Sequence, residues 1–360
     1  MRWFLGLVLV VALVTGAAYG VGRFLLPNQL DVTRTTSIAR PRAAVFAMVN
    51  DLRIAKEWSP YYAIDPDADY AFSGEPGSGQ TMRWNSNVRE VGRGRMSIVN
   101  SIENQEVESI LDITNRAALN SRMDLRPGQG TTSVAWTVSA ACSDDWRNVP
   151  CRYMNLVLRG MIEHELDNGL SRLKTLAEQL PNVNFEGYDI SIVPVDSQQV
   201  LFVDVSISKP DGPTFADREQ AEQDGIQTLN LFITNNQVTR GDGLVRVFPQ
   251  NNGVNGIYSF SVGYPFTGAA PARLVGVRVG ETPSGAALQA NFVGRRSQIP
   301  LMYQRIDAYR QAHRIALREG TEAWEIVHAV EPADPSSPNA GDPIEHTSIY
   351  YPIESSGAAN

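Results

Sequence analysis

Two cysteines, four histidines and a few clustered carboxylates bound the chemistry open to this chain of 360 residues. The only cysteines, Cys142 and Cys151, flank the polar insert Ser143 to Pro150. A loop of that length suits a disulfide in an oxidising compartment. Two unrelated thiols are the alternative; a metal site is not supported, because no His or second Cys pair stands nearby at ligand spacing. Glu163, His164, Glu165 and Asp167 offer acid–base and ligand-type groups, but no second His follows four residues on, so the HExxH pattern is missing and a solvated helix face is expected. Arg159 stands i,i+4 from Glu163 and can pair with it. Tyr303, Ile306, Tyr309 and His313 recur at helical spacing and share a face that reads mainly as core. Trp58 opens the densest aromatic stretch, Glu57-Trp58-Ser59-Pro60-Tyr61-Tyr62, which runs on through Tyr70 and Phe72 to Trp84. Gly and Pro punctuate it while Trp and Tyr seek apolar partners, so it is expected to be a sharp corner between a helix and a sheet, rimming a cavity with Trp58 and Trp84 as ligand contacts.

The elements that must position these groups follow from hydrophobic period. Trp3 to Gly22 is uncharged and mostly apolar between Arg2 and Arg23, and at roughly 1.5 Å per residue it reaches about 30 Å, a bilayer's hydrocarbon thickness. A single-pass anchor over residues 1–29 is the expectation, with a signal peptide cleaved near Gly16-Ala17-Ala18 as the alternative. Gly16 and Gly20 form a GxxxG pair that would allow a homodimer. Arg23, Arg34, Arg40 and Arg42 favour a cytoplasmic bulk, whereas the cysteine pair favours the far side. The bacterial inner membrane with the soluble part in the periplasm is the resulting expectation.

Behind the anchor, a strand at Leu30 to Ala39 and a short helix at Ala43 to Leu52 precede six strands: Asp69 to Ser73, Thr81 to Asn85, Arg95 to Asn104, Val107 to Thr114, Ala117 to Leu125 and Thr131 to Ala140. A long helix from Tyr153 to Leu180 follows, with Leu158, Met161, Ile162, Leu166, Leu170, Leu173, Ala177 and Leu180 on one stripe. After the linker Pro181 to Asn184, two halves of similar pattern follow. The first has strands at Tyr188 to Pro194, Val200 to Ser208, Leu244 to Phe248 and Gly256 to Tyr264, with a helix from Thr214 to about Asn235. The second has strands at Leu274 to Val279, Gly285 to Val293, Ala323 to Val330 and His346 to Pro352, with a helix from Gln298 to Arg318. The net charge of −8 and the lack of a basic stripe argue against nucleic acid as a partner.

Val45-Phe46, Asp51, the aromatic corner and Gly130-Thr131-Thr132-Ser133-Val134-Ala135-Trp136 together resemble a START-like domain of the polyketide cyclase/dehydrase and lipid transport superfamily, over roughly residues 32 to 180. The resemblance implies a helix-grip fold over residues 30–181: a curved antiparallel sheet closed by one long helix around a cavity for an apolar ligand. Leu274-Val275-Gly276-Val277-Arg278-Val279-Gly280, Tyr303-Gln304-Arg305-Ile306, Ala323-Trp324-Glu325-Ile326-Val327 and Thr347 to Ile353 resemble a GyrI-like effector-binding domain, covering residues 187–354. That resemblance implies a duplicated βαββ unit in which Glu325 lies at the bottom of an aromatic cleft and meets a cationic, lipophilic ligand, with Tyr264, Phe266 and Tyr303 as walls. Trp324, on the opposite face of the strand, would then be core between strand and helix. Residues 355–360 read as a flexible tail.

The expectation is thus an α+β, membrane-tethered, non-catalytic binder or sensor of hydrophobic or amphiphilic small molecules, without cofactor or metal. Alternatives are a START-like cyclase or GyrI-like hydrolase, and a scaffold with vestigial pockets. The chain lacks the DNA-binding module of GyrI-like regulators and any evident Asp, His and Arg set of a cyclase.

Overall fold

A computed structural model describes residues 2–113, 118–143, 145–248, 256–332 and 342–354, the side chains of Arg2, Leu5 and Trp146 excepted. Thr114, Ala117, Asp144 and the expected tail 355–360 lie outside these. The chain is mixed α+β and divides into two compact units, Met1–Asn184 and Phe185–Asn360.

The first unit opens with α1 (Arg2–Phe24), long and apolar enough to cross a membrane. A seven-stranded antiparallel sheet follows, in the order β1 (Gln29–Ile38), β7 (Thr132–Ala141), β6 (Leu119–Pro127), β5 (Glu106–Ile113), β4 (Arg93–Ile102), β3 (Thr81–Asn85) and β2 (Asp69–Ser73). Strict alternation in β7 sends Val134, Trp136 and Val138 inward, where α5 (Val149–Ala177) meets them with Ile162, Leu166, Leu170, Leu173 and Ala177. The helix begins four residues earlier than its apolar period suggests, because Pro150 sits in its first turn, where a missing N–H costs nothing. Gly169 lets Trp136 reach it: a Cβ there would stand 2.5 Å from the indole.

The stripe expected along the whole of α5 is seated only from Ile162 onward. Met154, Leu156, Val157 and Met161 are at least half exposed.

The aromatic corner differs from its expectation in being helical. Between α2 (Arg42–Asn50) and β2 lie α3 (Leu52–Trp58) and α4 (Pro60–Ile64). Asp51 caps the first by accepting from Arg53 N, and Ser59 caps the second by accepting from Tyr61 N, with Pro60 at its start.

Cys142, just past β7, and Cys151, in the first turn of α5, are disulfide-bonded. Cross-linking so short a loop removes about 3 kcal/mol of denatured-state entropy. Cys142→Ser is therefore expected to lower the stability of the first unit by about that amount in denaturant titration, and alkylation without reductant to label neither thiol; a variant as stable as the parent would refute the contribution.

The second unit is one antiparallel sheet in the order β13 (Arg278–Glu281), β9 (Gln199–Ser208), β12 (Ile257–Thr267), β11 (Leu244–Phe248), β15 (Ala323–Glu331), β16 (Ile344–Pro352), β14 (Gly285–Arg295) and β8 (Ile190–Val195), with β10 (Thr239–Arg240) beside β12. Helices α6 (Phe215–Asn236) and α7 (Ile299–Ala312) follow β9 and β14. Read outward from the β11–β15 pair, the order is β12, β9, β13 on one side and β16, β14, β8 on the other, so each side ends on a strand that the other half of the sequence supplies. The strand expected at Leu274 begins only at Arg278, and α7 ends six residues short of Arg318, with Arg314 left-handed at φ 55°.

The sheet is strongly curled, as chain length alone requires. Only three residues separate Val195 of β8 from Gln199 of β9, and three separate Glu281 of β13 from Gly285 of β14. Each link reaches at most roughly 15 Å, whereas six strand spacings in a flat sheet are roughly 29 Å. The two links also bond each other: Thr282 N donates to Gln198 O at 3.0 Å and Gln198 N to Thr282 Oγ1 at 3.0 Å. Inside the curl, strand residues alone form a cluster of Val200, Phe202, Val245, Ala287 and Trp324. Leu201, Leu229 of α6, Phe260, Val262 and Phe266 form the core of the helix-covered face.

Candidate functional site

Glu325 and Tyr303, two of the expected site residues, do meet: Tyr303 OH donates to Glu325 Oε1 at 2.8 Å. They meet beneath the helices, not in an open cleft, and the carboxylate already has a cation. Arg246 stands opposite Glu325 in the β11–β15 register, and its Nη1 lies 3.3 Å from Glu325 Oε2. The same guanidinium grips Glu345 of β16 with both Nη atoms at 2.8 Å and donates from Nη2 to Glu222 of α6 at 2.9 Å. Arg296 completes the cluster, bonded to Glu222 and 3.6 Å from Glu345. Arg246 and all three glutamates have side chains no more than 3% exposed.

Burial moves these groups apart. Desolvation raises the pKa of Glu325, against the opposing pull of Arg246 and Tyr303. Glu345 is desolvated too, yet the hydrogen bond and charge of Arg246 together with Arg296 hold its pKa below the ordinary value. Arg246 is raised despite its own desolvation, by Glu345, Glu222 and Glu325. Tyr303 is pushed well up, first by burial and then by Glu325. Three carboxylates and two guanidiniums form a closed ionic core; a ligand cation would have to displace Arg246.

The other expected wall residues are elsewhere. Phe266 belongs to the core under α6, and Tyr264 packs against that core with Arg240 over its ring at 4.2 Å. Trp324 is core, as expected, but on the inner face of the curl and not between strand and helix: its ring stacks on Tyr350 at 4.9 Å, and Glu325 takes the helix side because successive strand residues alternate. In the first unit, Trp58 donates from Nε1 to Met48 O at 3.0 Å and sets its edge against Trp136 at 5.5 Å. Trp84 donates to Val91 O at 3.3 Å and is approached by Gly94, where a Cβ would stand 2.2 Å from the ring. Both indoles are no more than 5% exposed, so they are core instead of a cavity rim. Glu163 pairs with Arg34 at 2.9 Å, and His313 stacks on Tyr309 at 4.0 Å.

What the sequence does not announce is the inner face of the second unit. Beside the stack of buried Trp324 on half-buried Tyr350, Gln289 donates to Tyr350 OH at 3.0 Å. The guanidinium of Arg278 lies over Phe202 at 4.6 Å and pairs with Asp204 at 2.9 Å, and Ser261 donates to Asp204 at 2.6 Å. Asp204 is partly desolvated, but the hydrogen bonds from Arg278 and Ser261 hold its pKa low. Phe202 and Trp324 are each 2% exposed and belong to the core of this face, so what it presents outward is the half-buried Tyr350 ring and the exposed Arg278–Asp204 pair, one apolar and one polar contact for a molecule with two such ends. The signal was register: Phe202, Asp204, Ser261 and Arg278 share a face only once β9 is known to lie between β12 and β13.

No family model matches the chain, and no curated protein does. Among solved structures, similarity extends to a protein of unknown function from Staphylococcus aureus, at 8% identity over 42% of this chain and 94% of that one, with TM-score 0.35. It extends also to the Aha1 dimer from Colwellia psychrerythraea, at 14% identity over 41% and 96%, with TM-score 0.30. Ara h 8.0201 matches at 11% identity over 42% and 99%, with TM-score 0.31.

Where α1 meets α5 there is a further apolar groove of about 440 Å³, lined by Thr15, Ala18, Tyr19, Val149, Pro150, Tyr153, Met154 and Val157. Tyr153 OH donates to Ala18 O at 2.5 Å at its edge.

Proposed function

We propose that the protein is a membrane-tethered, non-catalytic binder of an amphiphilic small molecule, taken up on the inner face of the curled sheet of the second unit. The observation that carries this reading is the exposed Arg278–Asp204 pair on the same sheet face as the half-buried Tyr350, with Phe202 and Trp324 as the core behind them. The apolar α1 supports the tether, and the Cys142–Cys151 disulfide supports an oxidising compartment such as the periplasm. The strand order, alike from both sides of the β11–β15 pair, supports a duplicated, GyrI-like second unit. The sheet grasped by α5 supports a START-like, helix-grip first unit.

In this reading the ligand's polar end meets Arg278 and Asp204, and Glu325 has no part in charge recognition. Titration of the full chain in detergent with a neutral and a cationic lipophilic dye tests it. Arg278→Ala is expected to weaken binding of both about tenfold, or 1.4 kcal/mol, while Glu325→Gln leaves both unchanged. Binding that survives Arg278→Ala and is lost in Glu325→Gln would restore the carboxylate as the recognition group and end this assignment.

A further inference from the structure

We infer that the first three turns of α5 are a second membrane contact, their exposed apolar face and the α1–α5 groove being filled by the acyl chains of bilayer lipid. The inference rests on the reading of α1 as a membrane span.

The α1–α5 contact is built into both helices. Gly22 approaches α5 so closely that a Cβ there would stand 2.4 Å from Val149 Cγ1 and 2.6 Å from Tyr153. Arg152 donates from Nη1 to the carbonyls of Arg23 at 2.8 Å and Leu26 at 3.1 Å. These carbonyls lie at and just beyond the C-terminal end of α1, and their bonds from α5 hold the two helix ends together. Tyr153 adds its bond to Ala18 O one turn deeper. Tyr153 and Met154 therefore sit against the same segment of α1, Thr15 to Gly22, that belongs to the apolar span.

Depth follows from helix geometry. Thr15 lies seven residues before Gly22, about 10 Å along the axis, so the groove occupies the outer third of a span of about 30 Å. Interfacial helices bury their apolar face to about 5–10 Å. On α5 itself, Met154 is 55% exposed, Val157 74% and Met161 50%, and with Pro150 they lie at i, i+4, i+7 and i+11, one continuous stripe. Glu163, His164, Glu165 and Asp167 restore a polar surface beyond it. Water would meet three turns of bare hydrocarbon immediately beside a helix suited to lipid; lipid covers both with one layer. A second copy of the chain is the competing occupant, but Gly16 and Gly20, the small residues suited to helix pairing, are turned about 100° or more from Thr15 and Ala18, and about 60° and 100° from Tyr19, at roughly 100° per residue.

Both cysteines are in the disulfide, so a single introduced cysteine can carry a nitroxide without reductant. Full-length Val157→Cys, Glu165→Cys and Leu9→Cys are labelled and reconstituted in vesicles of phosphatidylcholine and phosphatidylglycerol, and collision with oxygen is compared with collision with a water-soluble nickel chelate. The expected result is a label at 157 that oxygen reaches and the chelate does not, like the label at 9, while the label at 165 meets the chelate freely. Equal chelate access at 157 and 165 with the label at 9 shielded would overturn the inference and leave the anchor standing. Spin–spin broadening at 157, relieved by dilution with unlabelled chain, would overturn it in favour of a second copy. Chelate access at 9 would overturn the anchor and this inference together.

Discussion

Replacing Arg246 by methionine is expected to destabilise the second unit by about 3 to 5 kcal/mol, because it leaves Glu222, Glu325 and Glu345 buried without their shared counter-ion. Hydrogen exchange at β11 and β15 reads the loss locally; protection within experimental error of the parent would refute it. Glu325→Gln is expected to do far less, since it leaves two carboxylates facing two guanidiniums. The pH dependence separates the glutamates. With its folded pKa raised, Glu325 favours the fold most below its unfolded pKa, and that contribution is lost as pH rises through the folded value. Glu345, lowered, contributes above its unfolded pKa and loses that as pH falls through the folded value. Glu325→Gln should thus gain on the parent as pH rises from the unfolded carboxylate value toward neutrality. A difference that stays flat over that range would show that burial does not raise the carboxyl of Glu325.

The second large effect is expected at Trp324. Truncation to alanine removes the ring that stacks on Tyr350 and fills the curl with Phe202, Val245 and Ala287, at a cost of about 3 to 5 kcal/mol. Tyr350→Phe keeps the stack and loses only the bond from Gln289, so its cost should be about 1 kcal/mol. Equal destabilisation by the two in urea titration would mean that the hydroxyl, and not the stack, holds the inner face.

Periodicity carried the strands, the long helix and the apolar α1 almost to their ends, because one-sided burial writes itself into the sequence at periods of 2 and 3.6. The corner at Trp58 was misread because its two helices are too short to show a period; their only marks are Asp51 and Ser59 as caps and Pro60 behind the second. Arg246 left a misleading mark. In Leu244-Val245-Arg246-Val247-Phe248 alternation puts the arginine on a face that reads as solvent, but α6 covers that face with Glu222 in line with Gly225 and Leu229. Two polar faces meeting under a helix look, from either sequence alone, like two exposed ones. The inner face was hidden for another reason: its residues come from strands paired far apart in the chain.

The two three-residue links between opposite ends of the sheet bear on how the second unit comes apart. β8 belongs by sequence to the first half but pairs with β14, and β13 belongs to the second half but pairs with β9. Neither half can complete its own hydrogen-bond ladder, so a half-folded intermediate would expose an unpaired strand edge as well as its core. Loss of order anywhere therefore tends to become loss of order everywhere. A molecule held only on the inner face would slow the melting of strands it never touches, and any effect of binding would be felt across the whole unit instead of one loop.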